Sequence, residues 1–220
     1  MKKILCIVQA RMGSTRLPGK VLKEINGHPM IYYTLTSLKK SRYIDEVVLA
    51  TSNKKIDTPL AEYVKTLGFE VFRGSEANVL ERYKLAADKY GGDVIVRVTG
   101  DCPLINPIIT DNVITKYLMY EDEYDYVRLD VPNTFTRGFD TEVFSKEALD
   151  KVYEIACSNK NINKKEFEPF REHVTYYIYN HQNEFKVGVV EGESKYCKDK
   201  EINMSVDTIE DFILAESKLK

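Results

Sequence analysis

Apolar runs and amphipathic stretches alternate along the first half of the chain. Ile4-Leu5-Cys6-Ile7-Val8 is a continuous apolar run of strand length, which predicts a buried β-strand. The same pattern places strands at Glu46–Ala50, Glu70–Phe72 and Asp93–Val98. Between them, apolar positions recur with helical spacing near Met30–Lys40, Asp57–Leu67 and Val79–Lys89, and again near Pro107–Tyr120. Strand and helix alternating in this way predict right-handed crossovers and an α/β fold with a doubly wound, mostly parallel central sheet. Ligands of such sheets lie beyond the carboxyl ends of the strands. The residues following Val8, Ala50, Phe72 and Val98 are therefore the places to search.

After about Glu121 the alternation breaks. Tyr124–Leu129 and Thr141–Phe144 read as short strands flanking a turn from Pro132 to Gly138. Lys146–Cys157 and Phe170–His181 read as helices, Asn159–Glu166 as a polar loop and Phe185–Val190 as a strand. Asp207–Lys218 reads as a final helix, with Asp207 or Thr208 as its N-cap. The second half thus forms a smaller β-containing arm. With no repeat, low-complexity segment or linker, residues 1–220 read as one domain.

Composition narrows the partners. The 220 residues can bury a sizeable core. Lys and Arg number 32 against 34 Asp and Glu, for a net charge of -2, so any anion site is local and general nucleic-acid binding is not expected. The four cysteines, Cys6, Cys102, Cys157 and Cys197, form no CxxC pair and read as reduced thiols of a cytoplasmic protein, not zinc ligands. The apolar start is too short for a signal peptide, and no run approaches the ~20 apolar residues of a membrane span.

The chemistry concentrates in three segments. The first, Gln9-Ala10-Arg11-Met12-Gly13-Ser14-Thr15-Arg16-Leu17-Pro18-Gly19-Lys20, follows the first strand. Glycines let a backbone approach a ligand, while Arg and Lys neutralise phosphate oxygens, so this reads as a triphosphate cradle. It is not a Walker A loop, because five residues separate Gly13 from Gly19 and Val21 follows Lys20. The dinucleotide GxGxxG fingerprint is also absent. The second segment, Val98-Thr99-Gly100-Asp101-Cys102-Pro103-Leu104, sets a carboxylate at the end of an apolar strand, with Gly100 leaving room for a ligand. The third, Asn203-Met204-Ser205-Val206-Asp207-Thr208, offers a second carboxylate. One or two carboxylates plus phosphate oxygens suit Mg²⁺.

Together these segments resemble the CTP-dependent cytidylyltransferases of acidic sugars, such as CMP-KDO and CMP-sialic acid synthetases. Arg137-Gly138-Phe139-Asp140-Thr141-Glu142-Val143-Phe144 and Arg171-Glu172-His173-Val174-Thr175 resemble the spore coat polysaccharide biosynthesis protein F type specifically. The resemblance spans essentially the whole chain. It implies a Rossmann-like nucleotide-diphospho-sugar transferase fold, with residues 1–120 as the nucleotide half and 121–220 as the acceptor and dimerisation half. It implies that Ala10, Arg11, Gly13, Ser14, Thr15, Arg16 and Lys20 hold the nucleotide with Arg73, Asn78, Thr99, Gly100 and Asp101. Asp101 and Asp207 match magnesium ligands, and Arg11, Lys20, Asp101 and Asp207 the catalytic set. Arg73 opens a segment ending in Leu80-Glu81-Arg82, with the spacing of a base-recognising loop. The implied reaction moves CMP from CTP to an acidic sugar and releases pyrophosphate. Arg128, Arg137 and Arg171 would meet the acceptor's acid group; Asp140, Glu142, Glu172 and His173 would meet its hydroxyls. The implied assembly is a homodimer, with Tyr176-Tyr177-Ile178-Tyr179 at its interface.

Structural readings stand beside these. Asp207 is read as cap or ligand, Arg82 as a solvated helix face or a base contact, and His173 as a structural or site histidine. A glycosyltransferase using a nucleotide sugar is a second reading, but Asp122-Glu123-Tyr124-Asp125 is a poor DxD-like metal pair. A third is an inactive nucleotide-binding protein of the same fold.

Overall fold

The computed structural model describes residues 2–158, 168–192 and 203–219. The expected Asn159–Glu166 loop and Cys197 lie outside them. The first half runs β1 (Ile4–Gln9), a small hairpin of β2 (Glu24–Ile25) and β3 (His28–Pro29), α1 (Met30–Leu38), β4 (Glu46–Ser52), α2 (Thr58–Thr66), β5 (Glu70–Gly74), α3 (Val79–Tyr90), β6 (Val94–Thr99) and α4 (Pro107–Met119). The second half adds β7 (Tyr126–Leu129), β8 (Glu142–Ser145), α5 (Lys146–Tyr153), α6 (Glu168–Glu172), α7 (Tyr176–Asn180), β9 (Val187–Val190) and α8 (Ile209–Lys218).

A seven-stranded sheet in the order β5-β4-β1-β6-β8-β7-β9 forms the centre. The parallel pairs β4–β5, β1–β4 and β1–β6 build its first half, and β8 alone among these seven strands runs antiparallel to its neighbours. On β1, Ile4, Cys6 and Val8 enter one core, while Leu5 and Ile7 enter the other. Residues of α1, α2, α4 and α8 fill the first core; residues of α3, α5 and α7 fill the second. Cover on both faces explains why β1 is an unbroken apolar run.

The β-containing second half extends the central sheet itself, with β8 inserted between β6 and β7. The helix expected over Phe170–His181 is two short helices, broken at residues 173–175. At the break Thr175 turns inward, and its hydroxyl donates to Glu142 at 2.9 Å. Of the stretch expected at a subunit interface, Tyr177 and Ile178 are buried within the chain, while Tyr176 and Tyr179 are half-buried. The helix expected over Lys146–Cys157 becomes a π-helical turn from Glu154 onward. No helix of the described residues is long and apolar enough to cross a membrane.

Candidate nucleotide site

A cavity of about 510 Å³ opens at the carboxyl ends of β1 and β6. The loop after β1 lines one side with Gln9, Ala10, Arg11, Gly13, Ser14, Thr15, Arg16 and Lys20. Thr99, Gly100 and Asp101 come from the end of β6, Glu76, Val79 and Arg82 from the β5–α3 segment, and Glu168, Glu172 and His173 from the α6 region.

Backbone bonds fix the loop. The amides of Ser14 and Gly19 both donate to the Met12 carbonyl at 3.0 Å. The Met12 amide donates to Asp57 at 2.6 Å, and Ser52 donates to the same buried carboxylate. This folding directs the Lys20 stem inward, where the residue is 8% exposed.

The two aspartates meet on Lys20. Its Nζ donates to Asp101 Oδ2 and Asp207 Oδ1 at 3.0 Å each, and to the Val206 carbonyl at 2.6 Å. Arg16 pairs with the other oxygen of Asp207 at 3.0 Å. Arg11 pairs with Glu76 at 3.5 Å, and Lys54 also contacts Glu76. The hydrogen bond from Lys54 holds the Glu76 carboxyl below the usual range.

Asp207 reaches Asp101 because the C-terminal segment is stitched across the fold. The Val206 amide donates to the Asp101 carbonyl at 2.8 Å, and the Met204 amide to the Arg137 carbonyl at 2.9 Å. Thr208, not Asp207, caps α8, in a capping box with Asp211. The Asp207 carboxylate therefore faces the cations and not its own helix. Gly138 lies against this segment at φ 104°, where an added Cβ would meet the Met204 carbonyl carbon at 2.5 Å. Gly138→Ala is expected to push Asp207 off Lys20 and lower nucleotidyl transfer by about tenfold or more, because small misplacements in a site are costly. Pyrophosphate release by the purified variant checks this.

Asp101 and Asp207 form a metal-compatible pair. Among the described residues no group of three or more His, Cys, Asp or Glu could hold a metal. Two carboxylates converging on one cation position suit an ion that keeps waters and phosphate oxygens as its other ligands.

Several expected contacts fall elsewhere. Arg73 is absent from the cavity: it donates to the carbonyls of Ser52 at 3.0 Å and Lys54 at 2.8 Å, and to Thr58 at 3.2 Å, clamping the β4–α2 turn. Asn78 caps α3, accepting from the Glu81 amide at 3.1 Å. Asn78→Ala is expected to lose about 1 kcal/mol of stability and leave nucleotide affinity unchanged, as thermal unfolding and titration would show. Gly100 lines the cavity, but the space a Cβ would take is filled by protein: it would meet Ala10 Cβ at 2.7 Å, so the glycine also lets the end of β6 close on β1.

In the expected acceptor set, Glu172 and His173 line the cavity, and the others do not. Arg171 donates to the Ala156 carbonyl at 3.0 Å, and Arg137 is exposed outside the cavity. Asp140 accepts from the Gly138 amide at 2.8 Å and so shapes the turn; burial raises its carboxyl. Glu142 receives Arg97, Tyr126 and Thr175, beside half-buried Arg128 on β7.

The structure adds residues that the sequence reading left out or open. Arg82, 3% exposed, lines the cavity and donates one guanidinium arm to the Ser75 carbonyl at 2.6 Å. Among the described residues its Nε has no partner, nor has the buried Gln9 Oε1. Burial lowers the pKa of this guanidinium. Unsatisfied buried polar groups lining a cavity invite a ligand. Asp57 had only the look of a helix-start acid in sequence.

Comparison with known proteins places this geometry. The family described as Cytidylyltransferase matches residues 5–217. The spore coat polysaccharide biosynthesis protein SpsF of Bacillus subtilis is 33% identical over 216 residues, covering 96% of this chain and 84% of SpsF. A solved cytidylyltransferase from Leptospira borgpetersenii superposes with TM-score 0.85 at 34% identity, covering 99% of this chain and 86% of that one. The solved CMP-2-keto-3-deoxy-manno-octonic acid synthetase complexed with CTP shares the fold, with TM-score 0.70 at 16% identity over 99% of this chain and 98% of that one. A family match over nearly the full length means that the chain belongs to the cytidylyltransferase family of CTP-dependent nucleotidyltransferases.

Proposed function

We propose that the protein transfers CMP from CTP to a sugar acid or related polysaccharide precursor, with Mg²⁺, and releases pyrophosphate. The observation that supports this most is the meeting of Arg16 and Lys20 with Asp101 and Asp207 beside the cavity, whose lining also includes Arg11. Arg11, Arg16 and Lys20 would hold the β- and γ-phosphates and receive the charge that builds on the leaving pyrophosphate. An acceptor oxygen forms the new bond to the α-phosphorus, the bond to the bridging oxygen breaks, and pyrophosphate leaves with that electron pair. Asp101 and Asp207 would hold Mg²⁺, which supplies charge neutralisation at the phosphate oxygens. Catalysis of this kind is mainly positioning and electrostatics.

The base would meet Arg82 and Gln9. A guanidinium donor suits the ring carbonyl and N3 of cytosine, and an amide oxygen suits its amino group. The acceptor would meet Glu172 and His173. Glu168 and Glu172 make the α6 wall negative, so an acidic acceptor would turn its charged group away from that wall.

The test is pyrophosphate release with CTP, Mg²⁺ and a panel of acidic and neutral sugars. CTP-specific turnover with an acidic sugar supports the reading; turnover only with neutral sugars overturns its acceptor half. UDP or GDP release from a nucleotide sugar would replace it with glycosyl transfer. Saturable CTP binding without pyrophosphate release across the panel would favour a non-catalytic role.

A further inference from the structure

We infer that Lys20 is the internal counter-ion of the metal site, so that free metal and free nucleotide each bind poorly and the cavity takes the metal–nucleotide complex as a unit. This rests on the proposed nucleotidyl transfer, because it concerns the same site.

An ammonium has three donors and no more. Lys20 uses all three, on Asp101, Asp207 and the Val206 carbonyl. No donor is left for a phosphate, and each aspartate presents an oxygen to Lys20 instead of to a metal. The side chain is 9% exposed, so water does not readily compensate a broken pair. Arg16 extends the arrangement by holding the second oxygen of Asp207.

Two partial occupancies are thereby disfavoured. A cation arriving alone takes the carboxylates and leaves a buried ammonium with the Val206 carbonyl as its remaining partner. A triphosphate arriving alone draws Lys20 and Arg16 away and leaves two bare carboxylates beside phosphate charge. Unpaired buried charge and close like charges are both costly. When metal and phosphate arrive together, the carboxylates exchange Lys20 for the metal, and Lys20 exchanges carboxylate for phosphate. No charge is stranded. Arg11 stands outside this exchange, because Glu76 keeps Lys54 when Arg11 swings to a phosphate.

The experiment measures Mn²⁺ binding by electron paramagnetic resonance and CTP binding by calorimetry, using the full chain. In the wild type, Mn²⁺ is expected to tighten CTP binding by about tenfold or more, and CTP to tighten Mn²⁺ binding by the same factor. In Lys20→Met, Mn²⁺ alone is expected to bind about tenfold more tightly than to wild type, with the coupling reduced; Arg16→Gln should show a smaller gain. Thermal unfolding checks that the variants are folded. Equal Mn²⁺ affinity with and without CTP, in a wild type that binds CTP, overturns the inference. So does an unchanged Mn²⁺ affinity in a folded Lys20→Met. If Lys20→Met does not fold, the wild-type coupling decides. Absence of CTP binding to the wild type, with or without metal, instead removes the proposed function; the gain of Mn²⁺ binding in Lys20→Met still reads the counter-ion role.

Discussion

Asp101→Asn is expected to lower nucleotidyl transfer by about a thousandfold while leaving the fold intact. Removing one preorganised electrostatic group at such a reaction commonly costs 10²–10³ in rate, and Asp101 carries two roles here. Its carboxylate is one of two anions that meet on Lys20, and it is a proposed metal ligand. Asn keeps the size of the side chain. It also keeps the backbone carbonyl that receives the Val206 amide at 2.8 Å, so the C-terminal segment should remain in place. Pyrophosphate release and thermal unfolding separate the two effects. A variant with unchanged melting and most of its turnover would remove Asp101 from the chemistry.

Glu142→Ala is expected to give the largest loss of stability, about 3 kcal/mol. Glu142 and Arg97 form an ion pair whose side chains are 15% and 16% exposed. Tyr126 and Thr175 donate to the same carboxylate at 2.6 and 2.9 Å. Removing the acid leaves a largely buried guanidinium without its counter-charge. At ~2–4 °C per kcal/mol for a chain of this size, the melting midpoint should fall by about 6–12 °C. Burial alone would raise the Glu142 carboxyl, but the Arg97 charge and the hydrogen bonds from Tyr126, Arg97 and Thr175 outweigh it and lower the pKa from 4.5. A lowered folded-state pKa gives stability that is present above the unfolded value and lost as the pH falls through the folded value. The difference between wild type and variant should therefore be full at neutral pH and shrink well below pH 4.5. A gap that persists in acid would argue for lost packing instead of a lost charge pair. Because Thr175 follows the α6 region, this layer also braces the cavity wall that carries Glu172 and His173.

The first half of the fold was legible because its strands are buried on both faces, so that β1 reads as plain apolar residues between helical repeats. Lys20, Asp101 and Asp207 were legible because each sits in a distinctive short segment, and the structure joins the three at 3.0 Å contacts. The insertion of β8 between β6 and β7 was not legible: pairing order is long-range information that local pattern does not hold. Arg73 misled because an arginine near a site looks alike whether it meets phosphate or the carbonyls of Ser52 and Lys54. Asn78 misled because a polar residue before a helix serves equally as cap or contact. For Arg82, helical spacing left a solvated face open; the packing of α3 buries it against Gly74, whose added Cβ would meet Arg82 Cγ at 3.2 Å.

This cavity is expected to bind a metal–CTP complex. Thermal unfolding with CTP, UTP, ATP or GTP, each with and without Mg²⁺, tests it most directly. At about 100 times its dissociation constant a ligand adds about 2.7 kcal/mol, which at ~2–4 °C per kcal/mol raises the midpoint by about 5–11 °C. CTP with Mg²⁺ is expected to give the largest rise, and omitting either one to remove most of it. A larger rise with another nucleotide, or none with CTP and Mg²⁺, would contradict it.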